Sequence, residues 1–196
     1  MTQSPPRQSR LEGLDGPSAA AVLFDYRQAA NPVRSGLTEP IPDRSWSPDL
    51  YASAPSGIVP LDLSRELGIA GPATSPGLAA HFVRIHRGEG VKAAAEATSS
   101  LFFVLRGEGR AQRQGCGEQP DVTLHWKPGD LFVLPAGQAP LLQASEDSVL
   151  YWVHDGPLLR HLGVTASEPR FDATHYPGTW LRQELAALAL SATFAA

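Results

Sequence analysis

The side chains in this chain that could do chemistry are six histidines, His81, His86, His125, His154, His161 and His175, together with Glu96. Converging neutral imidazoles and a carboxylate suit a divalent transition-metal ion. His81 and His86 are five residues apart, so on one strand they point to opposite faces unless a bulge intervenes. His125 and His154 fall on other expected strands, and His161 and His175 lie beyond them. A site built from Glu96, His81 and His154 stays open, and so does a surface or hydrogen-bonded place for each histidine. A carboxyl group inside an apolar enclosure is held protonated above its ordinary range and can serve as a general acid or base. Glu96 is the candidate for that role, with Ser100, Phe102 and Val104 as its neighbours by alternation. The opposing reading puts Glu96 at a strand end in solvent. Leu150, Trp152 and His154 alternate along one face, which lines either a cavity or an outer packing surface.

These residues need strands to position them. From about residue 78 the chain breaks into short β-type runs separated by Gly and Pro. The expected strands are Ala80–His86, Lys92–Glu96, Ser100–Arg106, Gly109–Gln114, Val122–Trp126, Leu131–Leu134, Pro140–Ser145 and Val149–His154. With no long helix between them, they predict an all-β fold, an antiparallel jelly-roll barrel enclosing a small-molecule cavity. Residues 1–45 are rich in Pro, Ser, Gly and Arg and predict a mobile segment, within which Ala19–Tyr26 is the one candidate element. Residues 46–77 predict an arm packing on the barrel through Trp46 and Tyr51, with a helical turn over Asp62–Gly68. The barrel takes residues 78–156, and residues 157–196 form a helical extension. Pro157–Gly163 opens that extension as a short helix, and Leu181, Leu185, Leu188 and Ala189 mark an amphipathic helix. That helix is expected on the outside of the barrel or across a dimer interface.

Composition narrows the function classes. A length of 196 residues with 42% hydrophobic and 18% charged residues supports one domain with a substantial core. The net charge is −4 and the only lysines are Lys92 and Lys127, which argues against a nucleic-acid surface. Cys116 is the single cysteine, so an internal disulfide is excluded, and its Gln114–Glu118 surroundings read as a loop offering no activating base. No apolar run reaches the length of a membrane span. Met1–Arg10 lacks the apolar core of a signal peptide, so a cytoplasmic location is expected.

Two stretches carry a resemblance. Gly88 and Gly107 fit the ends of a G-x5-H-x-H-x3-E-x6-G pattern, and Gly129, Pro135 and Gly137 fit G-x5-P-x-G-x2-H-x3-N. Phe102–Gly109 and Trp126–Pro135 read as the strand-turns of the same motifs. Over roughly residues 57–178 the chain resembles the cupin superfamily, the RmlC-like jelly rolls. Ala73–Ile85 is similar to the lead-in strand of gentisate dioxygenase-type cupins, which are often two-barrel proteins that open aromatic rings with iron. The resemblance places the metal ligands at Ala94, Glu96, Ser100 and Pro140. Ala and Pro offer no donor and Ser a poor one, so the metal site is expected to be degenerate, with no metal and no cofactor.

The expected function is binding of a small organic molecule inside the barrel without metal, by Ala94, Glu96, Ser100, Phe102, Pro140, Trp152 and His154. One alternative is a metal-independent cupin isomerase, cyclase or lyase using Glu96 as acid/base. Others are a dioxygenase-like metal enzyme with a displaced site and a structural subunit pairing with a full-length relative. A homodimer is expected, because an isolated sheet face carrying aromatic residues is better covered.

Overall fold

The structure is a computed structural model that describes residues 9–10, 22–23, 30–31, 33–34, 42–115 and 120–193. The Cys116 loop and most of Ala19–Tyr26 lie outside the described residues. The chain divides into two units, Met1–Pro42 and Asp43–Ala196. In the first, β1 (Ser9–Arg10) pairs antiparallel with β2 (Val22–Leu23). The Arg34 amide donates to Asn31 Oδ1 at 3.0 Å.

The second unit holds the elements that position the candidate residues. In chain order they are α1 (Asp49–Ala52), β3 (Gly57–Pro60), α2 (Ser64–Leu67), β4 (Ala79–Ile85) and β5 (Gly90–Lys92). Next come β6 (Ser99–Arg106), β7 (Gly109–Arg113), β8 (Val122–Trp126), β9 (Leu131–Pro135), β10 (Leu141–Ala144) and β11 (Ser148–His154). The unit closes with α3 (Gly156–Leu162), β12 (Thr174–Tyr176) and α4 (Gly178–Thr193). One sheet has four strands in the order β5-β10-β7-β8, and the other has six in the order β12-β9-β6-β11-β4-β3. All pairings are antiparallel. The chain crosses between the sheets repeatedly from β4 to β11, giving a jelly roll whose sheets face each other without joining edge to edge.

Period-2 alternation explains the core. On the inner face of the larger sheet lie Val83 and Ile85 of β4, Phe102 and Val104 of β6, Phe132 and Leu134 of β9, and Leu150 and Trp152 of β11. The smaller sheet contributes Ala111, Trp126, Leu142 and Ala144. The rings stack in a row across the interior: Trp126 on Phe132 at 6.2 Å, Phe132 on Phe102 at 4.9 Å, and Phe102 on Trp152 at 5.7 Å. Each such pair adds about 0.5–1.5 kcal/mol beyond its buried area. The motif glycines Gly107 and Gly129 sit in turns at φ 81° and 87°, which an L side chain rarely adopts.

Three expectations need correction. The expected strand Lys92–Glu96 ends at Lys92, and residues 93–98 lie outside any strand. The expected arm and helical extension each contain a strand, β3 and β12. Both are short edge strands, held by register to β4 and β9. Along α4, Leu181 is half-buried, whereas Trp180, Leu185 and Leu188 are exposed, so within the described chain this helix does not lay an apolar face on the barrel. Tyr51 does pack on the sheet, with its ring 4.6 Å from that of Phe82. Among the described residues, no helix is long and apolar enough to cross a membrane.

Candidate functional site

Two of the four motif positions, Ser100 and Pro140, meet at the mouth of the jelly roll. The Ala93 amide donates to the Pro140 carbonyl at 3.0 Å, which continues the β5–β10 pairing and turns Ala93 inward. Alternation then buries Ala93 and Ala97, half-buries Ala95, and leaves Ala94 and Glu96 exposed. This is a one-residue slip from the motif match, and it exchanges the two faces. Glu96 therefore does not point into the barrel. Its Oε1 accepts the Ala166 amide at 3.0 Å and ties down the segment after α3. Ser100 lies on the same face of β6 as Phe102 and Val104, and Pro140 is buried. The mouth is a crevice of about 20 Å³ lined by Ala93, Ala95, Ala97, Ser100, Arg113 and Pro140 among others. It is water-sized.

Sequence reasoning missed Arg113. It shares the inner face of β7 with Ala111, and a charged residue on an inward alternation was the available signal. Arg113 is 5% exposed, and its Nη1 donates to the Pro135 carbonyl at 2.9 Å. Burial pulls its pKa below the ordinary value, yet a guanidinium stays charged at neutral pH. The guanidinium thus lines the same crevice as Ser100 and Pro140, two of the positions at which the resemblance places metal ligands.

Strand pairing also brings His81 and His154 together. Trp152 of β11 is opposite both His81 of β4 and Phe102 of β6, so the two histidines are diagonal neighbours on the inner face. Their Nε2 atoms are 3.1 Å apart and their rings are stacked at 5.2 Å. Both are buried, and both pKa values are pushed down to about 4. For His81 the causes are desolvation and then the neighbouring His154, opposed by Asp62. For His154 they are desolvation and then Arg160, opposed by Asp155. Both rings are neutral at pH 7, so each carries one N–H. The Gly156 amide donates to His154 Nδ1 at 3.1 Å, which requires a lone pair there. The proton of His154 is therefore on Nε2, and it is donated to His81 Nε2. The His81 proton then sits on Nδ1, a buried nitrogen with no hydrogen-bond partner.

That tautomer opposes metal binding. A metal-bound imidazole usually donates from its outer nitrogen and leaves the inner one free to ligate. In His154 the order is reversed. Among the described residues, no group of three or more His, Cys, Asp or Glu could hold a metal ion. The residues present do not fit the group that the resemblance implies. His125 is exposed on the outer face of β8, and His86 lies 3.8 Å from Asp147. His175 contacts Asp130 at 3.1 Å, and His161 is exposed on α3. Of the expected ligand-binding residues, Phe102, Trp152 and His154 are core, and the expected organic-sized cavity inside the barrel is filled by their side chains. Space lies instead outside, in a groove of about 550 Å³ between the α2 region and α3 and in three others of about 480 Å³ each.

No family model and no curated protein matches the chain. Among solved structures, salicylate 1,2-dioxygenase from Pseudaminobacter salicylatoxidans is 26% identical over 49% of this chain and 26% of that chain, with a TM-score of 0.41. Its adducts with gentisate match at 20% identity over 71% of this chain and 32% of that chain, with a TM-score of 0.43. An RmlC-like cupin protein from Desulfovibrio desulfuricans is 18% identical over 42% of this chain and 74% of that chain, with a TM-score of 0.36. The chain spans roughly a quarter to a third of the length of the dioxygenase chains it matches. Two facing antiparallel sheets, repeated strand crossovers and the motif glycines in their turns make this chain an antiparallel jelly roll, the fold class expected from its sequence.

Proposed function

We propose that this protein is a metal-free cupin that binds a small organic molecule. The observation that carries the reading is the donor set of the barrel mouth. The inward positions hold Ala93, Ala95, Ser100 and Pro140, with the Arg113 guanidinium among them. A divalent ion there would meet neutral serine hydroxyls and the Arg113 guanidinium, and three of the four ring nitrogens of the His81–His154 pair are spent on each other and on Gly156, the fourth, His81 Nδ1, carrying a proton. The role that remains for a folded barrel with a filled interior is to present an outer site. Metal-independent acid/base catalysis by Glu96 is the weaker reading, because that carboxylate is exposed and bonded to a backbone amide.

Elemental analysis of the purified chain, combined with thermal melts, tests the proposal. A ligand that binds only the native state raises the melting temperature by mass action. Iron, manganese, nickel and zinc should each be far below one equivalent per chain, and neither these ions nor a chelator should shift the melt. A stoichiometric metal whose removal lowers the melting temperature would overturn it.

A further inference from the structure

The groove outside the barrel has the chemistry of a specific site. Leu67, Ile69 and Pro76, from the chain before β4, line it together with Leu158 of α3. Arg160 and His161, from the last turn of α3, complete the lining. None of the lining residues carries a carboxylate. Arg160 donates from Nη2 to the Pro72 carbonyl at 2.9 Å, which holds its guanidinium beside the groove, and among the described residues no salt bridge engages it. A volume of about 550 Å³ falls within the range of about 300–1,000 Å³ typical of small-molecule sites, and such sites combine apolar walls with few polar groups. A guanidinium recognises a carboxylate through two parallel N–H bonds, and the aliphatic walls accept a ring or short chain.

We infer that this groove binds a small monocarboxylate with an apolar body, oriented by Arg160. The inference rests on the reading of the chain as a small-molecule binder, and it commits that reading to a place and a ligand class. Sodium benzoate is the probe, with neutral benzamide as its uncharged counterpart and sodium hexanoate as its aliphatic one. Amide chemical shifts of the whole chain are followed by nuclear magnetic resonance during titration. Benzoate or hexanoate should move the resonances of Leu67, Ile69, Leu158 and His161, with benzamide at least tenfold weaker. Arg160→Gln should weaken benzoate about tenfold and leave benzamide unchanged, as expected for loss of one charge-assisted contact. Leu158→Ser, at a side chain 42% exposed, should weaken both probes without loss of fold. It keeps the test decisive if Arg160→Gln does not fold. Shifts confined to the barrel mouth around Ser100 and Ala136 would overturn the groove while leaving the proposed function standing. Equal binding of benzoate and benzamide, or no response to either carboxylate at 10 mM (a concentration of about the weakest useful affinity), would also overturn it. A stoichiometric metal in the elemental analysis would instead remove the metal-free reading, whatever the groove does.

Discussion

The buried His81–His154 pair makes stability depend on pH in a window that ordinary carboxylates do not reach. In the folded chain both rings have pKa values near 4, against about 6.5 for an unperturbed histidine. Between those values the unfolded chain binds more protons than the native one, so stability rises with pH. It is fully present above about pH 6.5, is lost as the pH falls toward 4, and is constant below that as far as these two groups are concerned. At about 1.36 kcal/mol per pKa unit, each ring accounts for roughly 3 kcal/mol. The two share one hydrogen bond and repel each other when charged, so the joint loss lies between about 3 and 6 kcal/mol. His81 is 3% and His154 6% exposed, so solvent screening takes little from these figures. Asp62, Asp130 and Asp147 are held below the ordinary carboxylate range, and their contribution is lost only at still lower pH. Urea unfolding followed by tryptophan fluorescence at pH 8, 6.5, 5.5 and 4.5 reads the free energy directly. The slope between pH 6 and 4.5 should exceed 1 kcal/mol per unit, approaching about 1.4 for one ring. His154→Gln should lower it toward the one-ring value, because burial alone still depresses His81. In histidine proton spectra, two of the six rings should titrate near 4. A flat free energy from pH 8 to 4.5, or a slope unchanged by His154→Gln, would refute the argument.

Two further substitutions probe how outlying segments are tied to the barrel. A Cβ at Gly178 would lie 2.5 Å from the Gly129 carbonyl carbon, and the Gly178 amide donates to buried Asp130 at 2.7 Å. Gly178→Ala should detach the start of α4 and cost about 1–3 kcal/mol, read as a lower urea midpoint and faster hydrogen exchange at Tyr176 and Leu181. Unchanged exchange there would show that Asp130 does not hold the helix. Glu96→Ala should remove the bond to the Ala166 amide, cost about 0.5–1.5 kcal/mol, and leave benzoate affinity unchanged. A tenfold loss of benzoate affinity in that variant would restore Glu96 as a site residue.

The strands and turns were legible because their causes are local. Alternation of side chains along Ser100–Arg106 and Val149–His154, with Gly107 and Gly129 between runs, specifies strand, inner face and turn from nearest neighbours alone. The residue types at the motif positions, Ala94, Glu96, Ser100 and Pro140, were legible too. What tertiary structure decided were facts that depend on register and on distant partners. Whether Ala93 or Ala94 faces inward turns on one hydrogen bond to Pro140, nearly fifty residues away, and a slip of one residue moved Glu96 from the barrel to the surface. The His81–His154 contact joins residues 73 apart through the β4–β11 ladder, and its tautomer is set by the amide of Gly156. β3 and β12 are too short to announce themselves and exist because β4 and β9 offer unpaired edges. The groove belongs to no single segment. Leu67, Pro76 and Arg160 meet only when the chain before the barrel and the helix after it pack at the same end, and no local pattern encodes that meeting.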